Sequence, residues 1–312
     1  MGILVAGSFV TDFVARTERA PAAGETVTGL SFDTFMGGKG ANQAVAARRL
    51  GSEVTMVGCV GEDVFGKEFL RLFRSEGIDV RNVKSSACAK TGCSLVTVET
   101  SGQNRICMIP GSNLEYSAEE LLSVEKEISE ANVVVTQCEM RREIVDLLSA
   151  VCKRHAVKLI LNPAPARSFS DEVFSAVYVL TPNETELGVI VGRELTTQDD
   201  YISAGKELIE KGVRNVVVTL GAKGCLWVSR EGAKMFSAFK VKAVDTVGAG
   251  DSFTGALAAM LDEGADFEKA LIFASAVGAL AVQKEGAIPS MPKRSEVEAF
   301  LAAKPCISIL EI

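Results

Sequence analysis

Residues 132–137 read NVVVTQ, three consecutive valines that give way to Thr and Gln, with an amphipathic stretch following at 141–154. A run so short, β-branched and free of interior polar residues fits a strand buried on both faces. The same signature recurs at 3–8 (ILVAGS), 53–60 (EVTMVGCV), 157–165 (VKLILNPAP), 176–183 (AVYVLTPN) and 215–221 (NVVVTLG), each running out into small or polar residues. Helical stretches lie among them at 39–50, 64–75, 117–130, 141–154, 197–212, 251–263 and 266–284. Strand–helix alternation of this kind predicts an α/β fold, a three-layer sandwich with a central, mostly parallel sheet covered on both sides. Ligands of such sheets collect beyond the carboxyl ends of the strands, where the polar residues fall.

Two segments break the rhythm. Residues 25–38 (ETVTGLSFDTFMGG) and 92–111 (GCSLVTVETSGQNRICMIPG) alternate with period two and carry few helix signals. They read as antiparallel strands outside the main sheet, a small β lid built from segments near 13–36 and 91–110 of one domain spanning 1–312. Residues 239–244 (FKVKAV) also read as a strand, leading into a loop and a helix.

The chain has 312 residues, 47% hydrophobic and 23% charged, enough for one large α/β domain. No apolar run approaches the ~18–20 residues of a membrane helix. The opening MGILVAGSF has no basic leader or cleavage site, which predicts no signal peptide and a cytoplasmic location. Its first two residues also fit the start of a myristoylation pattern, but a buried strand is the better use of them. A net charge of −7 without a Lys/Arg cluster argues against a nucleic-acid partner. Eight cysteines, at 59, 88, 93, 107, 138, 152, 225 and 306, include no CxxC and read as reduced thiols. Cys88 and Cys93, in one probable loop, make a poor candidate bridge. His155, the only histidine, reads as a helix-end surface residue, which leaves Ser-His-Asp and Cys-His catalysis and His-rich metal sites without support.

Four stretches carry candidate chemistry, and each has a purely structural alternative. In DTVGAGD (245–251), Gly248, Ala249 and Gly250 would leave N–H groups uncovered at a helix N-terminus, where the peptide dipoles favour an anion. Asp251 would follow on the first turn, able to take a proton from a hydroxyl; the alternative is a simple helix cap. In MGGKGANQAVAARRLG (36–51), Gly37, Gly38 and Gly40 permit close backbone approach while Lys39 and Asn42 offer donors to hydroxyls; the alternative is tight helix packing. No Walker A or GxGxxG pattern is satisfied there. In TPNETE (181–186), Asn183 and Glu186 stand at i, i+3 and suit a hydrated Mg2+, unless Thr181 caps the helix and Glu184 reaches back. TLGAKG (219–224) joins a strand end to a Gly-rich turn, a setting for nucleotide phosphate or an ordinary hairpin. Each of the four adjoins a predicted strand end. Together they fit phosphoryl transfer to a sugar, in which positioning and charge stabilisation do most of the work.

GGKGANQAVAARRLG and DTVGAGDSFTGAL resemble the two signatures of the ribokinase-like (PfkB) carbohydrate kinases, and LNPAPA (161–166), TPNETE and GAIPSMP (286–292) resemble their intermediate motifs. The likeness runs from the first strand to about residue 300. It implies a kinase using ATP, Mg2+ and a K+ activator, with a β lid closing over a pentose. A lid sheet standing alone exposes strand edges and an apolar face, which predicts a homodimer formed through it. Asp251 matches the catalytic base, and the amides of Gly248, Ala249 and Gly250 match the anion hole. Thr11, Asp12, Gly38, Lys39, Gly40, Ala41, Asn42 and Glu139 match sugar-side positions. Asn183, Thr219, Leu220, Gly221, Ala222, Lys223, Gly224, Gly250 and Ser275 match nucleotide-side positions, and Asn183 with Glu186 the magnesium-linked pair. Asp245, Val247, Ala281, Lys284, Gly286 and Ser290 match the monovalent-cation site.

One position departs from the pattern. Members acting on ribose usually carry Asn two residues before the Asp of the first sugar-binding segment, and GSFVTDF puts Val10 there. Val10 cannot hydrogen-bond a hydroxyl, and a buried unpaired hydroxyl costs about 1–3 kcal/mol. D-ribose, phosphorylated on its primary 5-hydroxyl, is the expected substrate, with 2-deoxyribose next. A nucleoside kinase and a non-catalytic sugar or nucleotide sensor on the same fold stay open.

Overall fold

The computed structural model describes residues 2–304 and 307–312. Cys306 and Met1, the latter part of the myristoylation pattern, lie outside the described residues.

The strands in chain order are β1 (Ile3–Ala6), β2 (Val10–Thr17), β3 (Ser31–Gly37), β4 (Val54–Gly61), β5 (Val83–Ser86), β6 (Gly92–Glu99), β7 (Asn104–Ile109), β8 (Val133–Thr136), β9 (Lys158–Leu161), β10 (Val177–Leu180), β11 (Asn215–Thr219), β12 (Cys225–Ser229), β13 (Gly232–Phe236) and β14 (Ile309–Glu311). The helices are α1 (Lys39–Arg49), α2 (Val64–Glu76), α3 (Ala118–Ser123), α4 (Glu125–Glu130), α5 (Arg142–His155), α6 (Asp171–Phe174), α7 (Glu184–Val191), α8 (Gln198–Glu210), α9 (Ala249–Asp262), α10 (Phe267–Ala281) and α11 (Arg294–Ala303). Ten strands form the main sheet in the order β14-β13-β12-β11-β10-β9-β8-β1-β4-β5. Pairing is parallel from β5 to β11 and antiparallel from β11 to β14.

Side chains alternate between two apolar layers. Ile3 and Val5 join α1, α2, α9 and α10 on one face, whereas Leu4 and Ala6 join α5, α7 and α8 on the other. Each buried aliphatic side chain contributes about 1.5–3 kcal/mol. With both faces covered, neither tolerates a polar residue, which is why the valine runs are uninterrupted.

The lid is a four-stranded sheet, β3-β2-β6-β7. Its β2–β3 and β6–β7 pairs are antiparallel, as expected, but β2 and β6 pair parallel from Val10↔Gly92 to Thr17↔Glu99. Both strands leave the carboxyl end of the main sheet, β2 after β1 and β6 after β5, so they enter the lid in the same direction.

The structure corrects two further expectations. The 117–130 stretch is two helices broken at Val124, whose φ of −110° and ψ of 17° lie outside the α region. Residues 239–244 are not a strand: the free edge of β13 is taken by β14, and Phe239 instead packs on Phe300, ring centroids 5.2 Å apart. His155 ends α5 beside Glu125, 2.7 Å away, and the seven described cysteines are unpaired thiols, Cys88 and Cys93 included. Among the described residues, no helix is long and apolar enough to cross a membrane.

Candidate active site

The start of α9 is built by Gly248, whose φ of 74° lies in the left-handed region. A Cβ there would also stand 2.8 Å from the Ala287 Cβ, so only glycine fits. Ala249 N–H donates to Thr246 O at 3.3 Å and Ser252 N–H to Gly248 O at 2.8 Å. The N–H groups of Gly248, Gly250 and Asp251 have no acceptor among the described residues. The bare set therefore differs from the expected one: the turn occupies the Ala249 amide, and the N–H of Asp251 takes its place. Asp251 is not a cap. It lies inside the first turn, with Gly248 as N-cap, and is 7% exposed. Its Oδ2 accepts from Asn42 Nδ2 at 2.8 Å and its Oδ1 from Gln43 Nε2 at 2.9 Å.

The amino end of α1 is chemically different, because every N–H of its first turn is used. Lys39 N–H donates to Glu139 Oε2 (3.0 Å), Gly40 to Ser8 Oγ (3.3 Å), Ala41 to Ser8 O (2.9 Å) and Asn42 to Gly38 O (2.9 Å). Its glycines serve packing, as the structural alternative held: a Cβ on Gly40 would lie 2.4 Å from Ser8 N, and one on Gly38 2.7 Å from Val10 N. The helix end with N–H groups left unused is that of α9, whereas α1 supplies side chains.

Those side chains share one floor with Asp251. Burial raises Asp12 above the usual carboxylate range against a hydrogen bond from Ser94, and the charge of Asp251 raises it further. Burial also raises Glu139, which accepts from Ser8 Oγ and is opposed by Lys39. Lys39 is held above its ordinary value, first by Asp251 and, after burial works against it, by Glu139. The charge of Asp251 thus acts on Asp12, Lys39 and Glu139, which come from β2, α1 and the segment after β8. Val10 and Thr11 lie on β2, both buried, and Thr11 Oγ1 has no partner among the described residues.

Among the residues expected on the nucleotide side, Asn183 and Glu186 form a reciprocal capping box: Glu186 N–H donates to Asn183 Oδ1 (2.8 Å) and Asn183 N–H to Glu186 Oε2 (2.9 Å). The expected alternative cap, Thr181 with Glu184, is not the one used. Thr181 is buried, its Oγ1 3.4 Å from Thr254 Oγ1. Burial raises Glu186, and Asp251 contributes to that rise. Asn183 bridges to Thr219, which brings TPNETE beside the Thr219–Gly224 loop. In that loop Leu220 N–H donates to Gly224 O at 2.8 Å, Lys223 Nζ lies 4.0 Å from Glu184, and Ala222 is exposed above the turn. A Cβ on Gly224 would meet Phe236 O at 1.9 Å, whereas one on Gly221 would meet open space. Ser275, on α10, pulls back the Cys225 thiol that burial pushes up to about 12.

The last group surrounds Asp245, whose Oδ1 accepts from Val247 N–H (3.0 Å) and Oδ2 from Gly286 N–H (2.9 Å). The carboxylate therefore ties the α9 entry loop to the segment after α10. Ala281 O accepts from Lys284 N–H at 3.2 Å, Ser290 Oγ donates to Ala287 O at 2.7 Å, and Lys284 Nζ pairs with Glu296 at 3.1 Å.

Sequence reasoning missed Gln43, Gln137 and Asn162. Gln43 Nε2 also reaches Asn162 Oδ1 at 3.2 Å, and Gln137 Nε2 donates to Gln43 Oε1 at 2.6 Å. The available signal was a glutamine inside an alanine-rich helical face, a polar residue where only small apolar ones pack.

Over residues 2–294 the chain matches the pfkB family carbohydrate kinase pattern. It belongs to that family. A ribokinase of Haemophilus influenzae is 37% identical over 300 residues, covering 96% of this chain and 98% of its own. A deoxyribokinase of Salmonella typhi is 35% identical over 303 residues, covering 97% and 99%. The structure of Arabidopsis thaliana ribokinase complexed with ribose and ATP superposes with a TM-score of 0.90 at 32% identity, covering 97% of this chain and 99% of the other. As a carbohydrate kinase, the protein requires a hydroxyl acceptor and a phosphoryl donor in one crevice, and the carboxyl ends of β8, β1, β10 and β11 carry the two sets of side chains described above.

Proposed function

We propose that the protein is an ATP-dependent pentose kinase that phosphorylates the primary 5-hydroxyl of D-ribose to give ribose 5-phosphate. The observation that carries this reading is the buried Asp251 carboxylate, standing one residue from bare N–H groups on the same helical turn. Asn42 and Gln43 orient the carboxylate by donating to both of its oxygens, and both leave lone pairs free to accept the hydroxyl proton. The N–H groups of Gly248, Gly250 and Asp251 then receive the negative charge of the transferring phosphoryl group, aided by the α9 dipole. Asp12, Asn42, Lys39 and Glu139 hold the sugar hydroxyls, and Asn183, Ser275 and the Thr219–Gly224 loop hold the nucleotide.

The residues fit the two metal ions that such a kinase uses. The capping box engages Asn183 Oδ1 and Glu186 Oε2, which leaves Glu186 Oε1 to hold Mg2+ through water. Bound there, the ion would neutralise phosphate charge. Asp245, with carbonyls of Val247, Ala281, Lys284 and Gly286 and the Ser290 hydroxyl, offers the oxygen set of a monovalent cation such as K+. One carboxylate joining two loops suits a cation that fixes the shape of the α9 entry. The exposed apolar side chains of the lid, Phe32 (64%), Leu95 (55%) and Ile106 (61%), support a homodimer through the lid, which light scattering would test.

A second reading, 2-deoxyribose as the preferred sugar, is favoured by one observation: Val10 is 3% exposed and offers no hydrogen bond at the position where ribose-using members usually carry Asn. ADP release measured with ribose and 2-deoxyribose separates the two. A strong ribose preference ends the deoxyribose reading, and no turnover with any pentose ends both.

A further inference from the structure

The loop that follows β9, residues 162–170, contains a cation that nothing in the free chain uses. Arg167 Nε and Nη2 are sealed from solvent and find no hydrogen-bond acceptor among the described residues. The guanidinium Cζ stands 5.6 Å from the centre of the Phe169 ring, a contact that holds the side chain in place without neutralising it. Arg167 itself is half-buried, so the cost falls on these two N–H groups, which are shut off from water and disfavoured unless an anion arrives to meet them.

Topology says which part of the crevice it faces. In the main sheet β9 lies between β8 and β10. Glu139, on the sugar side, follows β8; Asn183, on the nucleotide side, follows β10. The loop after β9 is therefore the one between the two half-sites. It is pinned there by Cys138 N–H, which donates to Ala164 O at 3.0 Å. The Cys138 thiol reads the same neighbourhood: burial pushes it up to about 12, Arg167 and Lys39 pull it back, and Glu186 and Glu139 add to the rise.

We propose that Arg167 binds the phosphoryl group in transit, its two unpartnered N–H donors forking onto non-bridging oxygens of the terminal phosphate of the bound nucleoside triphosphate. The planar fork matches two phosphate oxygens, which a lysine ammonium does not. Lys39, close to Asp251 and Glu139, approaches the same group from the sugar side. The inference deepens the kinase reading above and depends on it for the identity of the anion.

The test compares nucleotides that differ by that phosphate. Affinities for ADP and for a β,γ-imido triphosphate analogue are measured by calorimetry on the wild type, Arg167→Met and Arg167→Lys, with Mg2+ present. The expected result is a loss of tenfold or more for the triphosphate analogue in Arg167→Met, a smaller loss in Arg167→Lys, and ADP affinity within twofold of wild type in both. Equal weakening of both nucleotides overturns the proposal, because it marks Arg167 as a support for the loop. So does unchanged triphosphate affinity, and so does failure of both variants to fold. Wild-type turnover with pentoses is measured alongside: its absence defeats the pentose-kinase reading, while the ratio of triphosphate to diphosphate affinity still judges Arg167.

Discussion

Replacing Gln43 with Met tests the buried polar network behind Asp251. The change keeps side-chain length and removes three hydrogen bonds, which the structure measures at 2.9 Å to Asp251 Oδ1, 2.6 Å from Gln137 Nε2 and 3.2 Å to Asn162 Oδ1. The first is charge-assisted, worth about 1.5–3 kcal/mol, and the other two are neutral, worth about 0.5–1.5 kcal/mol each. Gln137 Oε1 is already without a partner, so the substitution leaves that buried amide with neither hydrogen bond. Part of the loss is recovered by the apolar Met side chain, so the net cost to folding should be about 2–3 kcal/mol, or a Tm lower by roughly 4–10 °C. Asp251 would then be oriented by Asn42 alone. If the energy of the lost charge-assisted bond is expressed in positioning the base, kcat falls about 10- to 150-fold. Coupled detection of ADP release with a pentose reads kcat, and thermal unfolding reads Tm. A Gln43→Met enzyme within twofold of wild-type kcat and within 2 °C, taken here as about the resolution of the assay, would refute the reasoning.

The two glycines of the α9 entry should separate structure from chemistry. Gly248→Ala, at a φ of 74° with Ala287 2.8 Å away, should destabilise the chain by about 1–3 kcal/mol. Gly250→Ala, whose Cβ meets nothing within 4 Å, should leave Tm unchanged or raise it by up to about 1 kcal/mol of stability while lowering kcat, because the methyl group crowds a bare N–H. Full activity in Gly250→Ala would remove that amide from the account. Glu139→Gln tests the buried carboxylate through pH. Burial raises Glu139 in the folded state, so the stability it contributes below the usual carboxylate pKa is lost as pH rises through the raised value. The Tm of Glu139→Gln relative to wild type should therefore climb from acid to neutral pH while pentose turnover falls. A Tm difference that does not change with pH contradicts it. Asp245→Ala releases both Val247 and Gly286 and should abolish any stimulation by KCl along with most activity; retained potassium dependence would move the cation elsewhere.

The fold was legible in sequence where burial is symmetrical. The valine runs of β8 and β11 need two covered faces, and that requirement alone predicts a parallel core with helices on both sides. Legibility ended where a remote strand decides the outcome. FKVKAV alternates like an edge strand, but β14, about seventy residues further on, had already taken the edge of β13. The parallel β2–β6 pair was hidden likewise, since period-two alternation is the same for either direction. At the site, Gly248 was readable because the left-handed turn into α9 demands a glycine, and Asp251 because it follows that turn as the one carboxylate of the helix's first turn. Gln43, Gln137 and Asn162 were not, because their reason for existing is a partner that only folding supplies. Asn183 and Glu186 show the converse: a pair read as a metal-linked site is also a capping box, and both uses draw on the same two residues.

The central claim is that the carboxylate at 251 activates the acceptor hydroxyl, and Asp251→Asn tests it most directly. The fold should accept the change, because Asn42 Oδ1 is buried without a partner and a flipped Asn42 amide can accept from the new side chain. Rapid-quench measurement of phosphoryl transfer from ATP to a pentose, with binding of both substrates measured separately, gives the answer. The account predicts a rate at least about a thousandfold below wild type, of the order lost when a general base fails, with both affinities within a few-fold. A variant that transfers phosphate within tenfold of the wild-type rate would contradict it, since only about 1.4 kcal/mol would then be left for the base to supply.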